Sequence, residues 1–253
     1  MVKRSYRYTF ATLCSFNPAV YRHSFKLRVE PMTCACQEVG ASSVRLTPAT
    51  TLTRATDGFG NNVIYGLIDG PHDGFEVVSE GVVTCGAYAI DDAHPAEYYR
   101  YPTALCAWDD AIRQLAAGRT PEQIMEAVHG RMRYERFHTD NTTTAAEALR
   151  LGVGVCQDYA HVMLAACRSA GYLARYVNGM MAGEGETHAW VEVHSDGRWT
   201  AYDPTFCRIV SGDEGYIKLA HGRDTNDCAV NRGRFCNWTT EQMTAKCEVM
   251  AIP

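Results

Sequence analysis

Hydrophobic spacing changes character along the chain and divides it in two. From residue 6 to about 90, short stretches alternate apolar with polar positions, as in Ser24 to Val29 and Val63 to Ile68. Between them stand Asp57-Gly58, Asp69-Gly70-Pro71 and Asp73-Gly74. Period-two alternation broken by such turn residues marks half-buried strands, and a series of them predicts an all-β sandwich. Asp91 to Tyr101, rich in Asp, His and Pro, reads as a connection. Helical spacing then takes over. One helix is predicted from Leu105 to Ala117, stopped by Gly118. Another runs to about Arg131, opened by Thr120-Pro121 with Gln123 completing a capping box. A third, short one runs to Leu151, framed by Thr144 and Glu147.

A fourth helix, from Cys156 to Ala170, has Ala160, Met163, Leu164 and Cys167 on one apolar stripe, with Gly171 as its stop. The preceding Gly152 to Val155 reads as loop or short extended chain. His188 to His194 then alternates, with Ala189, Val191 and Val193 on one face and Trp190 and Glu192 on the other. Ser195-Asp196-Gly197 makes a turn, Arg198 to Tyr202 is the returning strand, and Asp203 precedes Pro204, where the chain favours extended geometry. This hairpin is expected to bring His188 and Asp203 together as cross-strand neighbours near its open end. Cys207 to Asp227 reads as loop-rich, and the alternation of Thr244 to Ile252 predicts a closing strand. Helices followed by strands give an α+β core. The division falls at residues 1–95 for the β-rich part and 96–253 for the core with its closing strand.

Within that core lie a thiol, an imidazole and a carboxylate: Cys156 in GVGVCQDYAH, His188 in THAWVEV and Asp203 in YDPT. Each alone has an ordinary reading, as a buried thiol, a structural histidine or a turn residue. Together they have the order and settings of an acyl-transfer triad. A thiol at a helix start meets unpaired N–H groups and the positive end of the helix dipole, which stabilise thiolate and oxyanion alike. An imidazole can take its proton, and a carboxylate can hold that imidazole in the right tautomer.

Composition narrows the alternatives. At 253 residues and 46% apolar content, the chain can build a sizeable core. No apolar run reaches the length of a membrane span, and Tyr6 to Phe16 is too interrupted by polar residues for a signal peptide. Eleven cysteines, an odd number without a secretory leader, point to reduced thiols and a cytoplasmic location. A net charge of −5 disfavours nucleic acid. Neither Cys34-x-Cys36, read as lining a strand, nor Cys228 with Cys236 has the repeated knuckle of structural zinc. No calcium loop is visible. No metal, cofactor or membrane partner is therefore expected, and the oligomeric state is unreadable.

The strings GVCQDYAH, HAWVEV and DPT, with HGRD at His221 to Asp224, resemble the core of the transglutaminase-like superfamily of papain-related cysteine enzymes, in its bacterial branch. YRHSFKLRVEPMTCACQ from Tyr21, LTP at Leu46, DGFGN at Asp57 and GPHDGF at Gly70 resemble the β-rich domain that precedes that core. Thr225 departs from the branch, which commonly carries tyrosine after GRD. The resemblance implies a helix carrying the cysteine packed on an antiparallel sheet, with Cys156 as nucleophile, His188 as general base and acid, and Asp203 as orienting carboxylate. It further implies amide hydrolysis or acyl transfer through a thioester, on a peptide or protein substrate. Protein-glutamine transamidation and a non-catalytic peptide-binding module on the same fold are the alternatives.

Overall fold

The computed structural model describes residues 3–212 and 214–252. Strands come first: β1 (Arg4–Val20), β2 (His23–Leu27), β3 (Gln37–Thr47), β4 (Thr53–Thr56), β5 (Asn62–Ile68), β6 (His72–Cys85) and β7 (Ile90–Asp91), then a 3₁₀ turn at Glu97–Arg100. The helical part holds α1 (Asp110–Ala116), α2 (Pro121–Arg131), α3 (Ala145–Leu151) and α4 (Cys156–Ser169), with β8 (Arg133–Tyr134) paired in parallel to β9 (Val153–Gly154). After these come β10 (Leu173–Met180), β11 (Gly183–Gly185), β12 (His188–Ser195), β13 (Arg198–Asp203), β14 (Arg208–Ile209), β15 (Ile217–Gly222), β16 (Asn231–Arg234) and β17 (Thr240–Ala251).

Two sheets, ordered β11-β17-β1-β6-β3 and β16-β2-β5-β4, form the expected sandwich. Alternation along β1 buries Tyr6, Tyr8, Phe10, Cys14 and Phe16 in the same core as Phe25, Leu27, Ile64 and Ile68 of the facing sheet. Burying each large side chain of this kind is worth roughly 1.5–3 kcal/mol, so the long strand is a main source of the sandwich's stability. Asp73-Gly74, read from sequence as a turn, lies within β6, where the β1–β6 register shifts between Ser15 and Val20. The extra residues of that irregularity lie in β1, between Ser15 and Val20, while Gly74 stays paired with Ser15 and β6 runs on. The closing strand begins earlier than its alternation indicates, and β17 pairs with β1 from Asn17↔Thr240 to Tyr6↔Ala251. A division at residue 95 puts that strand with the core, whereas its hydrogen bonds run to the N-terminal sheet.

The second core is built on the sheet β14-β13-β12-β10-β15. Both predicted capping boxes are present, Thr120 with Gln123 and Thr144 with Glu147. The first helix starts later than Leu105, because the Asp109 side chain accepts from the Ile112 N–H at 3.0 Å and caps the chain there. In α4 every residue from Asp158 to Arg168 is buried, so it is a central helix rather than an amphipathic one. Ala160, Leu164 and Cys167 share a core with Ile112, Ile124 and Ala148 of the other helices and with Ala189, Val191 and Val193 of β12. Arg168 near its end is held in place by carbonyls, Nη2 donating to Ala174 O at 2.8 Å and Nε to Tyr99 O at 3.0 Å.

The segment read as loop-rich contains β15, buried over its whole length. Both of its faces are covered, so it shows no alternation, and Lys218 and His221 interrupt its apolar run. Ile217 and Leu219 belong to the sandwich's core although β15 pairs with β10. The sandwich's core is therefore completed by side chains from the sheet of the second part, Ile217 and Leu219 of β15 and Met180 of β10.

Candidate active site

Cys156 is the first residue of α4, where α-helical geometry gives the backbone N–H no internal acceptor. The entry to the helix is held by Asp158, whose Oδ2 accepts from the Val155 N–H at 2.8 Å and from the Thr139 hydroxyl at 2.7 Å. Burial pushes the Asp158 carboxyl up, against these hydrogen bonds. Gly154 makes the arrangement possible, since a Cβ there would stand 2.6 Å from the same Oδ2. The Cys156 sulfur is half-buried and 3.9 Å from the Thr187 carbonyl oxygen, which places it beside the start of β12.

His188 opens β12, and its Nε2 lies 2.7 Å from Asp203 Oδ2. The two are not direct strand partners. β12 and β13 pair Val191 with Tyr202 and His194 with Trp199, a register that sets Asp203 opposite Trp190. His188 is thus the diagonal neighbour of Asp203 on the same sheet face, a separation that long polar side chains bridge. With Nε2 committed to the carboxylate, Nδ1 is the ring nitrogen left for the thiol. Burial lowers the His188 pKa, but the hydrogen bond to Asp203 and the interaction with Cys156 outweigh it and raise it to about 10. For Asp203, burial acts upward and the contact with His188 downward; the net direction is down.

The carboxylate is held from every side. Tyr216 donates to Oδ2 at 2.6 Å, while the N–H groups of Thr205 and Phe206 donate to Oδ1 at 2.9 and 3.2 Å. Tyr216 also packs edge-on against Trp190, whose ring stacks on His188 at 6.3 Å, and Phe206 lies on the imidazole at 5.4 Å. None of these supports is singled out by sequence. Tyr216 falls in the stretch whose strand is masked by full burial, and Phe206 follows a turn with no period of its own. Behind Trp190 lies a buried charge cluster, with Glu192 bonded to Arg175, to Lys218 Nζ at 2.7 Å and to the Tyr88 hydroxyl at 2.6 Å. Burial raises the Glu192 pKa, but the two cations overcome it and hold the group ionised. Trp190 Nε1 donates to the same tyrosine oxygen at 3.0 Å, tying the cluster to the wall of the site.

A cleft of about 520 Å³ opens over Cys156 and His188. Tyr134, Phe137 and Phe206 give it an aromatic rim, and Phe137 is 98% exposed. Arg136 and Glu186, 3.2 Å apart, bridge two of its sides. Tyr176 and Thr225 line its floor, and Thr225 donates to Gln157 Oε1 at 3.3 Å. His161 is fully buried instead; its Nε2 accepts from the Thr225 N–H at 3.3 Å, and burial lowers its pKa to about 4. Among the described residues no three His, Cys, Asp or Glu side chains converge as a metal site would require. No helix among them is long and apolar enough to cross a membrane.

A thiol at the head of a buried helix, facing an imidazole that a sheet carboxylate orients, is the arrangement of papain-like α+β folds. Two segments of the chain match family models of the transglutaminase-like class. Residues 111–204 match the family described as "Transglutaminase-like superfamily", and residues 6–84 match the "Bacterial transglutaminase-like N-terminal region". An uncharacterized protein of Mycobacterium leprae is 28% identical over 264 residues, covering 91% of this chain and 90% of that protein. One of Mycobacterium tuberculosis is 26% identical over 279 residues, covering 90% and 86%. The crystal structure described as "a Putative Cysteine Protease from Cytophaga hutchinsonii" superposes with a TM-score of 0.80 at 20% identity, over 98% of this chain and 91% of that one.

Proposed function

We propose that this protein is a cysteine-dependent amide hydrolase or acyltransferase that works through a thioester on Cys156. The observation that carries this reading is the His188 ring, bonded at Nε2 to Asp203 and set beside the helix-start thiol. Transfer of the thiol proton to His188 gives a thiolate and an imidazolium. The thiolate attacks the substrate carbonyl carbon, and the oxyanion forms next to the free N–H of Cys156. His188 then protonates the departing amine, and on the return leg takes a proton from the nucleophile that resolves the thioester. Asp203 keeps its charge throughout and stabilises the imidazolium. The match of residues 111–204 to the transglutaminase-like superfamily supports the same chemistry.

Water or a second amine can resolve the acyl-enzyme, and the acylation half-reaction is common to both. Hydrolysis is favoured by the charged rim of Arg136, Glu184 and Glu186, which keeps the cleft wetted. The test is a peptide library incubated with and without an added primary amine, read by mass spectrometry with Cys156→Ala as blank. Hydrolysed amides that depend on Cys156 are expected. Amine-substituted products alone would move the assignment to transamidation, and neither product would favour a binding module.

A further inference from the structure

A second pair of thiols lies on the other side of the sheet from α4. Cys34 and Cys36 have sulfurs 3.2 Å apart, inside a tight turn closed by Cys34 N–H to Gln37 O at 2.9 Å and Gln37 N–H to Cys34 O at 3.1 Å. Rather than lining a strand, as their spacing suggests, they sit just ahead of β3. The turn is pinned to its surroundings. Gly86 N–H donates to Cys36 O at 2.9 Å, the Gln37 amide nitrogen donates to Met32 O and Lys218 O at 2.6 and 2.7 Å, and its oxygen accepts from the Lys218 N–H at 2.8 Å. Two sulfurs in van der Waals contact on a fixed turn need to close only about 1 Å more to bond.

We propose that Cys34 and Cys36 form a second thiol site, a dithiol that exchanges with low-molecular-weight disulfides and closes into a disulfide within its own turn. The order of events follows from exposure. Cys34 is half-buried and reachable, whereas Cys36 is only 4% exposed. The hydrogen bond from Cys36, aided by the Lys218 charge and opposed by burial, brings the Cys34 pKa down to about 6, so this sulfur is the attacking thiolate. It displaces one thiolate from the small disulfide and forms a mixed disulfide. Cys36 loses its proton to solvent and attacks the Cys34 sulfur, and the second small thiolate departs. In balance, two protein thiols are oxidised and one small disulfide is reduced to two thiols. Cys85 is the nearest competitor, but its thiol contacts Tyr216 O at 3.6 Å and burial pushes it up to about 12.

The test uses the full chain carrying Cys156→Ala, incubated at neutral pH with oxidised glutathione, then denatured, alkylated and cut with trypsin. Residues 29–45 form one tryptic peptide with Cys34 and Cys36 as its only cysteines, and Cys85 falls in a different one, residues 55–100. The expected result is peptide 29–45 two hydrogen atoms lighter and unalkylated, regained as the dialkylated form after dithiothreitol. With Cys36→Ser added, the same peptide should instead carry one glutathione on Cys34. Recovery of the dialkylated peptide from the treated protein, or a disulfide joining 29–45 to 55–100, would overturn the proposal. So would an unmodified Cys34 in the Cys36→Ser chain.

Discussion

At His188, burial and hydrogen bonding pull in opposite directions, and the balance sets how the site responds to pH. Its pKa rises from 6.5 to about 10 because Asp203 and Cys156 favour the charged ring more than burial penalises it. A group raised in the folded state contributes stability that is complete below its unfolded pKa and disappears as the pH climbs through the folded one. The stability gap between wild type and His188→Gln should therefore be widest below about pH 6.5 and close as the pH approaches 10. Urea midpoints across that range measure it, and a gap that grows toward alkaline pH would contradict the assignment. The three residues were legible in sequence because each stands at an element boundary with its own signal: glycines before Cys156, alternation after His188, proline after Asp203. Tyr216 was not, since its contribution is one phenol oxygen placed by a strand that full burial makes featureless.

The element that matters most is the start of α4. Its orientation depends on a carboxylate tucked beneath a glycine, and Gly154 leaves Asp158 no spare room. Gly154→Ala is expected to cost about 1–3 kcal/mol through overpacking, read from the denaturant midpoint, and to misplace the Cys156 N–H. An unchanged midpoint would mean that Asp158 does not fix the helix entry. Capped helices were the easiest elements to read, because Thr120 and Thr144 each carry a partner three residues on. The start of α1 was missed since its cap, Asp109, lies inside an apolar pattern that continues back to Leu105. The amphipathic reading of α4 failed for a different reason. Its small residues, Ala160, Ala165 and Ala166, pack closely on all sides and leave no polar stripe.

On the scale of the molecule, chain order and spatial order part company. β17 completes the sheet begun by β1, and β15 gives Ile217 and Leu219 to the sandwich while pairing with β10 of the other core. Pairings this far apart leave no local trace in sequence, which is why the alternation of the last strand was visible but its partner was not. A strand that belongs to one sheet and fills the core of the other implies shared unfolding. Ile217→Ala should cost about 2–5 kcal/mol as a buried large-to-small change and lower a single calorimetric transition for both parts. Two separate transitions, only one of them shifted, would contradict shared unfolding.

As the proposed nucleophile, Cys156 becomes acylated during turnover, and that species can be trapped. The protein is mixed with an activated acyl ester, quenched in acid within seconds and mapped with trypsin. The expected result is a hydroxylamine-labile acyl group on Cys156, in the peptide spanning residues 151–168, formed roughly 10²–10⁴-fold more slowly in His188→Ala. An acyl group absent from Cys156, or arriving there at the same rate without His188, would contradict it.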